Sequence, residues 1–161
     1  MNFFENAPAI KGKKCFVVMP YASERNVVFT AIEAALKAAN YDVIPHRAEG
    51  IDAGDSVMKD VLRNLAEADL VIADISGNNA YVFYELGIAR TVRRTQPVVL
   101  ITQNINDMHF DLKSSRCIEY TLSKVGLGQL QDKLARYVKE EFLPTRFLFK
   151  AREVDIDVPV E

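Results

Sequence analysis

Three runs of this chain are apolar with almost no interruption: CFVVMP at residues 15–20, DLVIADIS at 69–76 and PVVLITQ at 97–103. A strand with one face in water alternates apolar and polar residues, because successive side chains point to opposite sides of a sheet. Runs without that alternation are buried on both faces, the condition of a parallel sheet held between two layers of helices.

The intervening segments supply those helices. In ERNVVFTAIEAALKAAN, residues 24–40, Val28, Ile32, Ala35, Leu36 and Ala39 recur at helical spacing, and Asn40 is a stop signal. YDVIPH is a second, shorter strand, and RAEGIDAGDS is a polar loop whose Asp55 or Ser56 caps the helix VMKDVLRNLAEA. After the third strand come the Gly77-Asn78-Asn79 turn and a helix from Ala80 to about Arg94. A loop, NINDMHFDLKSSR, leads to a fifth strand, CIEYTL. GLG at 126–128 reads as a turn, and a last helix runs from about Gly128 to Phe142 with Leu130, Leu134, Tyr137 and Val138 inward. Strands alternating with helices predict a flavodoxin-like, doubly wound α/β domain: three layers, α/β/α, around a five-stranded parallel sheet ordered 2-1-3-4-5.

With 161 residues the chain has room for one such domain, expected over residues 14–142, with an N-terminal extension over 1–13 and a C-terminal arm over 143–161. The arm starts at a proline break and later alternates Val154, Ile156, Val158 and Val160. An extra edge strand, an arm onto a second subunit and a loose end all fit that pattern. A net charge of −2 gives no electrostatic reason to expect a nucleic-acid polymer or a membrane as partner. No apolar run is long enough to span a bilayer, and the first residues lack the order of a secretory signal, so a cytoplasmic location is expected. Cys15 and Cys117 fall inside strands as buried thiols, and His46 and His109 stand apart from them, so no metal site and no cofactor are expected.

Ligands of open parallel sheets bind beyond the carboxyl ends of the strands. Those positions hold Pro20 and Tyr21 after strand one, and His46 and Arg47 after strand two. Asp74, Ser76 and Asn78 follow strand three, and Thr102, Gln103 and Asn104 follow strand four. No glycine-rich phosphate loop follows strand one, and the acidic pair of a phosphoacceptor receiver is missing there too. Within the helix after strand three, Glu85 has Tyr81, Val82, Ile88 and Ala89 as its neighbours three and four residues away, so no local cation pairs with it. It is either a carboxylate kept for chemistry, or an ordinary one in water or hydrogen-bonded to nearby backbone. Tyr21 and Tyr81 are stacking surfaces for a base or core tyrosines, and Arg47 is a phosphate ligand or a solvated loop arginine.

The segment EADLVIADISGNNAYVFYELGIA resembles the nucleoside 2-deoxyribosyltransferase-like superfamily, a group akin to TIR domains, and FVVMPY, GDSVMKDVLRNLAEAD and FDLKSSRCIEY look like a bacterial branch of it. The likeness covers roughly residues 14–138 and is most specific from Asp69 to Ala89. It implies an enzyme acting at the N-glycosidic bond of a nucleoside, a nucleotide or an NAD-like molecule. By position, Glu85 is the nucleophile that attacks C1′, with Asp69 or Asp74 positioning the sugar or handling the proton of the leaving base. The resemblance makes Met19, Pro20 and Tyr21 the lining of the pocket, and Arg47, Ser76, Asn79 and Tyr81 are further candidate substrate contacts. A carboxylate beside C1′ stabilises or traps an oxocarbenium-like state without a metal. A TIR-like NAD hydrolase, and a non-catalytic nucleotide-binding or self-assembly module, are the alternatives the likeness allows. It also implies a homodimer or higher homo-oligomer.

Overall fold

The computed structural model describes residues 14–20, 22–44, 55–92, 98–109, 112–113 and 115–142. Its strands are β1 (Lys14–Val18), β2 (Asp42–Ile44), β3 (Leu70–Asp74), β4 (Val98–Thr102) and β5 (Cys117–Glu119). The helices are α1 (Asn26–Ala38), α2 (Asp55–Glu67), α3 (Ala80–Val92) and α4 (Lys124–Arg136), and α4 runs on as a π-helix over Tyr137–Phe142. The strands form one sheet in the order β2-β1-β3-β4-β5, and every neighbouring pair is parallel. This is a flavodoxin-like α/β arrangement. Among the described residues, no helix is long and apolar enough to cross a membrane.

Strand alternation sorts the core into two layers. Cys15, Val17, Met19, Leu70, Ile72, Val99, Ile101 and Ile118 pack against α1 and α4 on one face. Phe16, Val18, Val71, Ala73 and Leu100 pack against α2 and α3 on the other. All five residues of β3 are buried, so its uninterrupted apolar run has the cause inferred for it: helices cover both sides. The inner face of α1 is Val28, Ala31, Ile32, Ala35 and Leu36, and Leu130, Leu134 and Val138 anchor α4.

Asn40 ends α1 in the left-handed region, at φ 57°. Its N–H donates to the Lys37 carbonyl and the Tyr41 N–H to the Leu36 carbonyl, the paired bonds of a Schellman cap, with Tyr41 and Leu36 in the same apolar cluster. The start of α4 differs from expectation. The helix begins at Lys124, because Ser123 caps it by accepting from the Gly126 N–H at 3.0 Å. GLG therefore lies inside the first turns of α4. Gly126 is there for closeness: a Cβ on it would sit 2.6 Å from the Thr121 carbonyl oxygen, whereas one on Gly128 would meet nothing within 4 Å.

Gly126→Ala is accordingly expected to cost about 1–3 kcal/mol of stability. Gly128→Ala is expected to be neutral or stabilising by up to about 1 kcal/mol. Urea unfolding of the two variants checks the contrast.

Candidate functional site

The carboxyl ends of β1, β3, β4 and β5 meet around one buried carboxylate. Asp74, the last residue of β3, is fully buried. Its Oδ2 accepts from Tyr120 Oη at 2.8 Å and from Arg25 Nη1 at 3.1 Å. Its Oδ1 accepts from the Ser76 hydroxyl at 2.5 Å and the Ser76 N–H at 3.1 Å. A carboxylate has about four acceptor positions, and all are used. The network spreads along the rim. Arg25 donates to Tyr120 Oη at 2.9 Å, and the Gln103 N–H donates to Ser76 Oγ at 2.9 Å. Gln103, with its amide oxygen turned to the guanidinium, accepts from Arg25 as well. Burial and the adjacent Asp74 push the Tyr120 phenol up to about 12, so at neutral pH it keeps the proton it donates to Asp74.

From this rim the chain enters α3 through two successive left-handed residues, Gly77 (φ 73°) and Asn78 (φ 53°). The Gly77 N–H donates to Asp107 Oδ2 at 3.0 Å, which holds the turn to the segment after β4. Asn79 then caps α3, its Oδ1 accepting from the N–H groups of Tyr81 (3.0 Å) and Val82 (3.3 Å). Val82, Leu86 and Ala89 form the buried face of the helix. Glu85 shares their burial, with 7% of its surface exposed. It sits in the second turn, about 8 Å along the axis from the helix start and so close to the rim. Tyr81 and Tyr84, half exposed, stand on the outer side of the same turns.

The expected site residues fare differently. Asp74, Ser76, Asn79 and Glu85 fall on the rim or in the element that leaves it, and Pro20 is half-buried just beyond β1. Asp69 does not join them. It precedes β3, at the amino end of the sheet, five strand residues or about 17 Å from Asp74. There its Oδ2 accepts from the Lys14 N–H at 2.9 Å and its own N–H donates to the Lys14 carbonyl at 2.7 Å, so it fastens the start of β1 to β3. Met19 is wholly buried in the cluster with Val28 and Ile32, a core residue and not a pocket wall. Asn79 and Ser76 spend their side chains on the helix cap and on Asp74. Tyr21, Arg47, the N-terminal extension and the C-terminal arm lie outside the described residues. Arg25 and Tyr120 were not singled out from sequence. Extending the strand-end rule to the fifth strand would have found Tyr120.

Cys15 is fully buried, and burial raises its thiol far above the ordinary range. Cys117 is half-buried and raised to about 11 by burial and by the nearby Glu119 and Asp74. Neither is poised as a nucleophile. Among the described residues, no group of three His, Cys, Asp or Glu side chains is placed to hold a metal.

No protein-family model matches the chain, and no curated protein sequence matches it. Among solved structures, it is similar to a flavo di-iron protein mutant from Thermotoga maritima, with a TM-score of 0.54 at 11% identity over 83% of this chain. It spans 38% of that protein's length. The Vibrio vulnificus NanR protein complexed with ManNAc-6P follows with a TM-score of 0.48 and 19% identity, over 94% of this chain and 59% of NanR. At these identities the first likeness establishes the α/β fold and nothing about chemistry.

Two predictions follow from the rim. Asp74→Ala strands Arg25, a cation with only 13% of its side chain exposed, and should cost about 3–5 kcal/mol in urea unfolding, against about 1 kcal/mol for Tyr120→Phe. Because folding raises the Tyr120 phenol, its contribution to stability is intact below about pH 10 and is lost as pH climbs toward about 12. The fall in unfolding free energy over that window should be shallower in Tyr120→Phe.

Proposed function

We propose that this protein cleaves, or transfers at, the N-glycosidic bond of a nucleoside or nucleotide, with Glu85 as the nucleophile. The reading places the chain among nucleoside 2-deoxyribosyltransferase-like proteins on the strength of its YELG motif. One observation carries it: a glutamate 7% exposed among Val82, Leu86 and Ala89, one turn inside a helix that starts at the ligand-binding rim of a parallel sheet. Burying a carboxylate on such a face is costly.

The saturation of Asp74 favours one branch of this chemistry. Expelling a purine or pyrimidine requires a proton for the departing base, and Asp74 has no free acceptor position with which to shuttle one. A nicotinamide joined to ribose is a cation and leaves as a neutral ring, with no proton required. Glu85 Oε attacks C1′, the C1′–N bond breaks, and its electron pair goes to the pyridinium nitrogen. A water then displaces the carboxylate from C1′, gives up its proton to solvent and restores the free glutamate. An NAD-like dinucleotide is therefore the favoured substrate, with Tyr81 and Tyr84 as exposed aromatic surface near the nucleophile.

Glu85→Gln keeps the shape and removes the nucleophile. Base release from NAD should fall by roughly 10^3-fold or more while NAD affinity is preserved. Chromatographic assay of NAD, nucleotides and nucleosides decides it. Release of no base from any of them by the wild-type protein rejects the proposal, and release only from purine or pyrimidine nucleosides rejects the dinucleotide branch.

A further inference from the structure

Positive charge collects in one place on this protein, at the β5 edge of the sheet. A cleft of about 640 Å³ lies there, lined by residues 115–119 and by Lys133, Arg136 and Tyr137 of the last helix. Arg116, Lys133 and Arg136 bring three cations to the lining, against one acid, Glu119. The cleft therefore carries a net charge of +2, on a chain whose net charge is −2. Glu119 is engaged elsewhere: its Oε1 accepts from the Ile105 N–H, beyond β4, at 3.0 Å.

A fourth cation stands behind these. Arg90, in the last turn of α3, donates through Nη2 to the Ser115 hydroxyl. Arg90 Nε is buried and has no acceptor among the described residues. Among those residues, neither Arg90 nor Lys133 nor Arg136 has a carboxylate within ion-pair distance. Lys133 and Arg136 are three residues apart on one helix, close enough for their charges to repel. A partly buried guanidinium without a counter-charge adds a further cost. One anion in the cleft relieves both.

The neutral groups suit an anion as well. Arg90 occupies an acceptor position on Ser115 Oγ, and no described residue takes the hydroxyl's own hydrogen, so Ser115 has a donor to offer. The Arg116 guanidinium lies 4.9 Å from the centre of the Tyr137 ring, a cation–π contact that makes a flat wall. α4 runs on as a π-helix over Tyr137–Phe142, which carries its negative carbonyl end past the cleft. The volume is far more than a free phosphate ion fills, and it falls within the roughly 300–1,000 Å³ of small-molecule pockets.

We propose that this cleft binds a small phosphate monoester. The dianion matches the +2 lining, with Lys133, Arg136 and the Ser115 hydroxyl on the phosphate and the organic body beside the Arg116–Tyr137 wall. This is a second site. Ser115 and Tyr120 are five residues apart along β5, about 17 Å, and the rim lies at the Tyr120 end. Nothing in the assignment depends on Glu85.

Titration of the full-length, 15N-labelled chain followed by amide NMR tests it, at pH about 7.5, where the second phosphate proton is lost. AMP and ribose 5-phosphate should both shift the Ser115, Arg116 and Cys117 amides, and adenosine should not. Inorganic phosphate should bind there at least roughly tenfold more weakly than either ester, and salt should weaken all binding. Lys133→Gln/Arg136→Gln changes two exposed side chains, so the fold should stand while ester affinity drops roughly 10–100-fold. Glu85→Gln should bind both esters at these amides as the wild type does, which keeps this site distinct from the rim whatever the rim's chemistry. Four results would each overturn the proposal: no shift from either ester, shifts confined to rim residues such as Gly77 and Gln103, undiminished affinity in the double variant, or adenosine or inorganic phosphate matching AMP.

Discussion

The rim of this sheet is organised by one carboxylate. Asp74 receives hydrogen bonds from residues ahead of α1, just past β3 and just past β5, and through Ser76 it also holds the backbone that leaves β4. Four segments distant in sequence are registered at the point where a flavodoxin-like domain receives its ligands. Ion pairs at such depth rarely add stability over an apolar substitute, but they are unforgiving when one partner is lost. Here the arrangement specifies geometry: it fixes where the turn through Gly77 and Asn78 leaves the sheet, and with it the direction in which α3 starts.

That divides the labour between two acidic residues of one βα unit. Asp74 is saturated, and its role is to hold. Glu85 lies in the second turn of α3, buried against apolar neighbours, while Asn79 caps the helix. The proposed chemistry uses the second because the first is fully engaged. The same division argues for a leaving group that departs without a proton.

Much of this was legible in the sequence, for physical reasons that can be named. Burial on both faces leaves an uninterrupted apolar run, and helical periodicity marks the inner faces of α1 and α4 down to individual residues such as Ile32 and Leu134. Asn40 showed itself as a stop because few residues accept a left-handed conformation. The start of α4 was hidden, since two glycines in three residues look like a turn, and only the approach of Gly126 to Thr121 explains one of them. Asp69 misled for another reason. An acidic residue beside a strand has the same sequence appearance at either end of it, and the hydrogen bond to the Lys14 N–H appears only once β1 and β3 are paired. Arg25 and Tyr120 reach Asp74 across 49 and 46 residues of chain, a separation that no local pattern encodes.

The parallel register carries a cost in time. β1, at the start of the described chain, lies between β2 and β3, and Cys15 pairs with Leu70. Its first residue waits 55 positions for the Asp69 clamp. At about 5–20 residues per second, a ribosome delivers that partner several seconds after β1 has emerged. For those seconds the apolar residues of β1 have no sheet partner on their β3 side. Folding dominated by such distant contacts is slow and exposed to aggregation. During synthesis this chain should therefore lean on chaperones that shield nascent strands.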